Sequence, residues 1–191
     1  GLLAAPALRE HVAPPTASPE GRAALSERLD QIFATHPALQ PLRDRVHATD
    51  AADFAIGTPG ILRPRVFVGS AFAARLTDDM LASALGHESE HVRSLDPLRY
   101  VLLRATQAVN PVGHLLLAPH VARWHAAREA HCDREAVIRG SSPLPLAEAI
   151  LRAARPSVRE LVALGARRRG HAHVPGAHAH GVLRATAHAL L

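Results

Sequence analysis

The chain has 191 residues, enough for one domain with ragged ends, and 48% of them are hydrophobic, so a real core can be buried. A single cysteine, Cys132, excludes an internal disulfide and fits a reducing compartment. The net charge is +5, and all 22 basic residues are arginine, scattered rather than striped on one face, so nucleic-acid binding is not expected.

Aromatic residues make up only 3% of the chain, so Leu, Ala and Val must do most of the packing. Ala and Leu are strong helix formers, and a mostly helical protein is predicted. Residues 1–17 read as an N-terminal extension, beginning at Gly1 rather than methionine, as in a segment of something longer. Its "GLLAAPAL" is apolar but too short to span a membrane. Ser18 then caps a helix, with Pro19 at its first position and Glu20 in its first turn. Leu25, Leu29, Ile32 and Phe33 give that helix one apolar stripe, and His36-Pro37 ends it.

Three short strands are predicted next, at Val46 to Ala48, Phe54 to Ile56 and Val66 to Val68, with "GTPG" closing the second. They are too few for an independent β domain. Thr77 caps a second helix, with Asp78 and Asp79 in its first turn, running to about Ser94 and ended by Asp96-Pro97. Further helices are expected from about Pro97 to Val109, from Gly113 or Pro119 to Arg139, and around 146–154 and 157–168, with Arg167 to Arg169 near the last helix end. The folded domain is thus expected over 18–170, followed by a His-rich tail, 171–191. His171, His173, His178 and His180 of that tail would bind metals weakly. The uncharged stretch "ATQAVNPVGHLLLAPHVA", 105–122, is long enough to span a bilayer. Its Gln107, Asn110, His114, His120 and two prolines argue against a spanning helix, and it reads as a segment for a membrane surface or for packing beside spanning helices.

The stretch that carries chemistry is "LGHESEHVRSLDPL", 85–98. His87 and His91 lie one helical turn apart, so both imidazoles project from one face and can share one metal ion. Glu88 flanks that ion, where its carboxylate can take a proton from a zinc-activated water. With 14 histidines in the chain, shuffling gives this pattern roughly 0.05 times per chain, so chance alone is a poor explanation.

A catalytic zinc needs a third protein ligand. In the pattern with a third histidine six residues on, Pro97 stands where that histidine belongs, which excludes the class. Between Pro97 and Arg128 there is no Asp or Glu; the first carboxylate is Glu129, with Asp133 one turn further on the same face. Glu129 is the candidate third ligand, and Asp133 the candidate acceptor for the free ring N–H of a zinc-bound histidine. The alternative is an exposed acidic face neutralised by Arg128 and Arg134. His125, one turn before Glu129, either stabilises an oxyanion or only stacks there. Cys132 reads as a small buried residue, and Tyr100 as core packing.

Several segments together resemble the zinc-protease domain of the BlaR/MecR-type antibiotic-sensor peptidases: "TPGILRPRVFV", the His-Glu-x-x-His itself, "VRSLDPL", "NPVGHLL" and "REAHCDREAV". They cover about eighty residues, roughly Thr58 to Ile138, in the family's order. The resemblance implies a gluzincin with His87, His91 and Glu129 as zinc (Zn2+) ligands and Glu88 as general base. Ser89 departs from it, standing where the family usually has leucine, and Glu90 adds a carboxylate beside His91.

The expected fold is α+β and predominantly helical, a zincin-like metalloprotease domain with a small sheet beside the His-Glu-x-x-His helix. Val66 to Val68 is the candidate edge strand for a protein or peptide substrate. The expected function is zinc-dependent endopeptidase activity in regulatory proteolysis, and the resemblance implies a transcriptional repressor or the chain itself as its target. A non-catalytic zinc-binding sensor or scaffold with the same fold is the alternative. The resemblance places the domain on the cytoplasmic side of a membrane if a longer membrane protein contains it, and in the cytoplasm otherwise.

Overall fold

Ser18 starts the first helix as its spacing predicts: its hydroxyl accepts from the Gly21 N–H at 3.2 Å. The computed structural model describes residues 13–51, 54–109 and 111–154. The helix expected at 157–168, the Arg167 to Arg169 run and the His-rich tail lie outside the described residues, as do 1–12 of the N-terminal extension and Asn110.

Helix α1 spans Pro19–Thr35 and buries the expected stripe of Leu25, Leu29, Ile32 and Phe33. Beyond His36 the chain forms a 3-10 segment, Pro37–Arg45, which the sequence reading did not anticipate. Pro37 and Pro41 remove donors that a longer α-helix would need, and the segment still buries Leu39 and Leu42.

Strands β1 (Val46–Thr49), β2 (Ile56–Gly57) and β3 (Val66–Gly69) form one sheet in the order β1-β3-β2. β1 runs parallel to β3, with Val46 opposite Val66; β2 runs antiparallel, with Ile56 opposite Val68. This corrects the expected edge strand: Val66 to Val68 is central, and β2 is the edge beside the site. The physical reason lies in the run Val66-Phe67-Val68, whose three side chains are all buried, as suits a strand covered on both faces. Gly69 allows the close pairing, since a Cβ there would collide with the Phe54 carbonyl.

A single turn, α2 (Ser70–Ala73), leads to α3 (Asp78–Arg93), capped as predicted by Thr77, whose hydroxyl accepts from the Met80 N–H at 3.3 Å. Every residue from Met80 to Glu88 is buried, so this helix is enclosed on all sides. Around it stand the 3-10 segment, β3, and three later helices: α4 (Asp96–Val109), α5 (Pro111–Ile138) and α6 (Pro143–Ala154). α5 starts earlier than Gly113 and continues through Pro119. It ends at Gly140, whose φ of 104° permits the Gly140 N–H to reach the Val137 carbonyl at 3.0 Å and the Ser141 N–H to reach Ala136 at 2.9 Å. Arg28 of α1 ties the front of α3 down, donating to Asp78 Oδ1 at 2.6 Å and to the carbonyls of Ala73 and Leu76. The molecule is mostly helical with one small sheet. No helix among the described residues is long and apolar enough to cross a membrane.

Candidate metal centre

One turn of α3 separates His87 from His91, and their rings meet edge to face with centroids 4.8 Å apart. The two Nε2 atoms are 3.0 Å apart. Glu129 enters from α5: its Oε2 lies 3.3 Å from His87 Nε2 and its Oε1 3.6 Å from His91 Nε2. Glu129 and Asp133 are both buried. The alternative of an exposed acidic face therefore fails, and only Arg134 of the two arginines named for it is exposed.

The second nitrogen of each ring is held by a carboxylate. His87 Nδ1 is 2.7 Å from Asp133 Oδ1, the place the sequence reading gave Asp133. His91 Nδ1 is 2.8 Å from Asp96 Oδ2. A carboxylate only accepts, so each ring donates its Nδ1–H and turns Nε2 toward Glu129. Asp96 was taken from the sequence only as a helix stop. Leu95 explains how it reaches the site: its φ of 52° places it in the left-handed region and turns the chain back at the end of α3. Arg128 donates from Nε to the same Asp96 oxygen at 2.7 Å and from a terminal nitrogen to the Glu90 carbonyl at 3.3 Å. Cys132 is fully buried beneath this pair, its Sγ 3.7 Å from His91 Nδ1. Glu90 faces away from the site and pairs with Arg139 Nε at 2.7 Å.

Glu88 and the histidines open onto a cavity of about 330 Å³. The Thr58 hydroxyl donates to Glu88 Oε2, an arrangement the sequence reading missed although "GTPG" was noted as a turn. His125 lines the same cavity, stacked edge to face between Tyr100 at 4.8 Å and Trp124 at 5.0 Å. Its Nε2 is buried with no hydrogen-bond partner among the described residues. Tyr100 belongs to the cavity wall rather than to the core, and Arg104 Nε donates to its hydroxyl at 3.0 Å. Leu146, Ala149 and Ile150 of α6 give the cavity an apolar side.

Electrostatics follow from this crowding. Burial pushes the His87 imidazole down, but the Asp133 and Glu129 carboxylates outweigh it and raise its pKa to about 10. Burial likewise opposes charge on His91, and Asp96 reverses the balance, raising it well above the ordinary histidine range. Burial raises the Glu129 carboxyl, yet the two histidines hold it below the ordinary value. His125 goes the other way, lowered chiefly by burial, and is therefore neutral near pH 7.

The donor set is of a kind that could hold a metal ion such as zinc. Two atoms each bonded to zinc at tetrahedral angles stand about 3.3 to 3.5 Å apart, from bond lengths of about 2.0 to 2.2 Å. The two Nε2 atoms, 3.0 Å apart, lie near that value, and Glu129 approaches it through two different oxygens, Oε2 at 3.3 Å from His87 and Oε1 at 3.6 Å from His91. His87, His91 and Glu129 place one ligand atom each within 4.8 Å of one another. The metal-free site balances its carboxylates with protons on His87 and His91, whose pKa values are both raised, so a dication there would take the place of those two ring protons. His91, Asp96 and Cys132 also cluster. Their shared Asp96 oxygen already accepts from His91 and Arg128, so this group is the support of the first site and not a second one. Comparison with protein-family models, curated proteins and solved structures returns no match to this chain.

Proposed function

We propose that the chain is a zinc-dependent endopeptidase, a gluzincin of zincin-like fold related to the BlaR/MecR-type sensor peptidases, acting on a protein or peptide in regulatory proteolysis. One observation carries this reading. Three donor atoms from two helices lie within 4.8 Å of one another, and Glu88, next to one of them, lines the adjoining cavity. His87, His91 and Glu129 would hold the ion, while Asp133 and Asp96 hold the two rings. A zinc ion bound there supplies Lewis acidity and brings the pKa of water toward neutrality.

The chain's own residues supply the rest. Glu88 is the proton acceptor, and the Thr58 hydroxyl on Oε2 fixes its carboxylate while leaving Oε1 for the proton. His125, neutral and walled by Tyr100 and Trp124, lines the cavity with an unpartnered Nε2, which a turn of the ring would bring out of its buried position to donate to a carbonyl oxygen. Ile56 and Gly57 of edge strand β2 line the cavity, so a substrate backbone would align along β2 rather than along β3. The α6 side of the cavity admits an apolar side chain.

The test is cleavage of a peptide library by the zinc-loaded chain, read by mass spectrometry, against Glu88→Gln. Turnover should fall by about 10²- to 10⁴-fold with zinc retained. Equal turnover in both, or none in a chain that holds zinc, would leave the non-catalytic sensor or scaffold in its place.

A further inference from the structure

A second cavity, of about 220 Å³, lies against α3 away from the metal donors. Ala82, Ser83 and Gly86 form its floor, with Asp79 and Ser89 toward the two ends of the same helix face. At 3.6 residues per turn, that face is turned roughly 120° from His87 and His91. One wall is the elbow where α1 gives way to the 3-10 segment, at His36 to Leu39. The other is the turn from Arg139 to Ser142 that joins α5 to α6. A Cβ on Gly86 would collide with the Ser141 hydroxyl, so this turn seats directly on the helix one residue before His87.

The lining leaves hydrogen-bonding capacity unused. Ser83 is only 2% exposed and lines the cavity, yet its hydroxyl has no partner among the described residues. The same holds for the hydroxyls of Ser89, Ser141 and Ser142 and for the Asp79 carboxylate. Each hydroxyl both donates and accepts. The guanidinium at the rim is already engaged: Arg139 Nε lies 2.7 Å from Glu90 Oε1, and a terminal nitrogen 3.6 Å from Glu135 Oε2. An oxyanion would therefore meet a neutralised arginine and an uncompensated carboxylate. The start of α6 helps it little, because Pro143 and Pro145 have no N–H to offer. A metal cation would find one exposed carboxylate and neutral hydroxyls, too few charged oxygens to strip its water. Four ambivalent hydroxyls instead suit a neutral molecule that carries several hydroxyls of its own. Pro37, Leu39 and Ala82 offer its C–H face an apolar surface. The volume is below the roughly 300 to 1,000 Å³ of pockets for drug-sized molecules, which limits the ligand to about one small ring.

We propose that this cavity binds a small neutral polyhydroxylated molecule of monosaccharide size, held by Ser83, Ser89, Ser141 and Ser142, with Asp79 accepting from a ligand hydroxyl. The ligand would press on the helix that carries His87 and His91 from a side the donors do not use. The cavity shares no residue with the metal centre, so the proposal stands apart from the peptidase reading.

Nuclear magnetic resonance of the full nitrogen-15-labelled chain tests this, with D-glucose, D-galactose and myo-inositol as the probes. At least one should shift the amides of Ser83, Gly86, Ser89 and Ser141 saturably. Ser89→Leu, which places a larger apolar side chain in the cavity, should weaken that binding at least about tenfold with the rest of the spectrum unchanged. Ser83→Ala should weaken it about two- to tenfold by removing one hydrogen bond. No saturable shift of these amides with any of the three probes would overturn the proposal. So would a folded Ser89→Leu chain that binds as the wild type does; if that variant does not fold, unchanged affinity in Ser83→Ala overturns it instead. Inorganic phosphate that shifts the same amides at lower concentration than every polyol would overturn it in favour of an oxyanion site.

Discussion

His87 Nε2, His91 Nε2 and the Glu129 carboxylate converge within 3.6 Å of one another, so a cation suits the space among them: a proton in the metal-free chain and, on the proposed reading, a metal ion in a loaded one. The two compete, and this sets the pH dependence. The His87 pKa is raised to about 10, above the ordinary histidine value, so its proton stabilises the metal-free fold fully below about pH 6.5 and that contribution is lost as pH rises through about 10. Zinc must displace this proton at neutral pH. Zinc affinity should therefore strengthen about tenfold per pH unit between roughly pH 7 and 9 for each proton released. Calorimetric titration in buffers of different ionisation enthalpy counts those protons; a pH-independent affinity with no proton release would contradict the arrangement. The carboxylates behind the rings should matter next. Asp133→Asn should weaken zinc binding by about 10- to 100-fold with the fold retained, measured by competition with a chromophoric chelator. Thr58→Val should lower kcat more than it changes KM, because it frees Glu88 without touching the ligands.

At the scale of elements, caps and stripes were readable because their determinants are local. Ser18 and Thr77 announce α1 and α3, and the spacing of Leu25, Leu29, Ile32 and Phe33 announces the buried face of α1. The gathering of His87, His91 and Glu129 was likewise legible, since two of the three lie on one helix and the acid-free stretch from Pro97 to Arg128 makes Glu129 the first carboxylate after Asp96. What escaped depends on tertiary placement. Asp96 reaches His91 only through the left-handed turn at Leu95, a conformation a leucine does not advertise. Thr58 reaches Glu88 only because β2 is the edge of the sheet, and strand order is set by pairing that local pattern does not encode. The 3-10 segment was hidden by its prolines, which read as a plain stop. Gly140 offers a check on element boundaries. A Cβ there meets no atom within 4 Å, so the cost of Gly140→Ala comes from its φ of 104° alone. It should destabilise the fold by about 1 to 2 kcal/mol in urea unfolding, and no change would show that the helix end does not need the left-handed residue.

Among the described residues, the site sits on the helix that packs against more of the other elements than any other does. α3 runs enclosed through the middle, α5 brings Glu129 and Asp133 to one face of it, and α4 returns Asp96 to its end. A metal ion held by both α3 and α5 binds the folded chain and not the unfolded one, so it should stabilise the whole fold. Saturation at 100 times the dissociation constant would add about 2.7 kcal/mol, and EDTA should lower Tm by several degrees. The most direct test of the central claim, that His87, His91 and Glu129 together hold one ion, is zinc content by elemental analysis. The chain should be ended after Gly170, to remove the histidine-rich tail, and compared with the same chain carrying Glu129→Ala. About one tightly held zinc per chain in the first and little in the second, with matching circular dichroism, is the expected result. No zinc in the first, with the fold intact, would contradict the account and return "GHESEH" to a polar turn of helix.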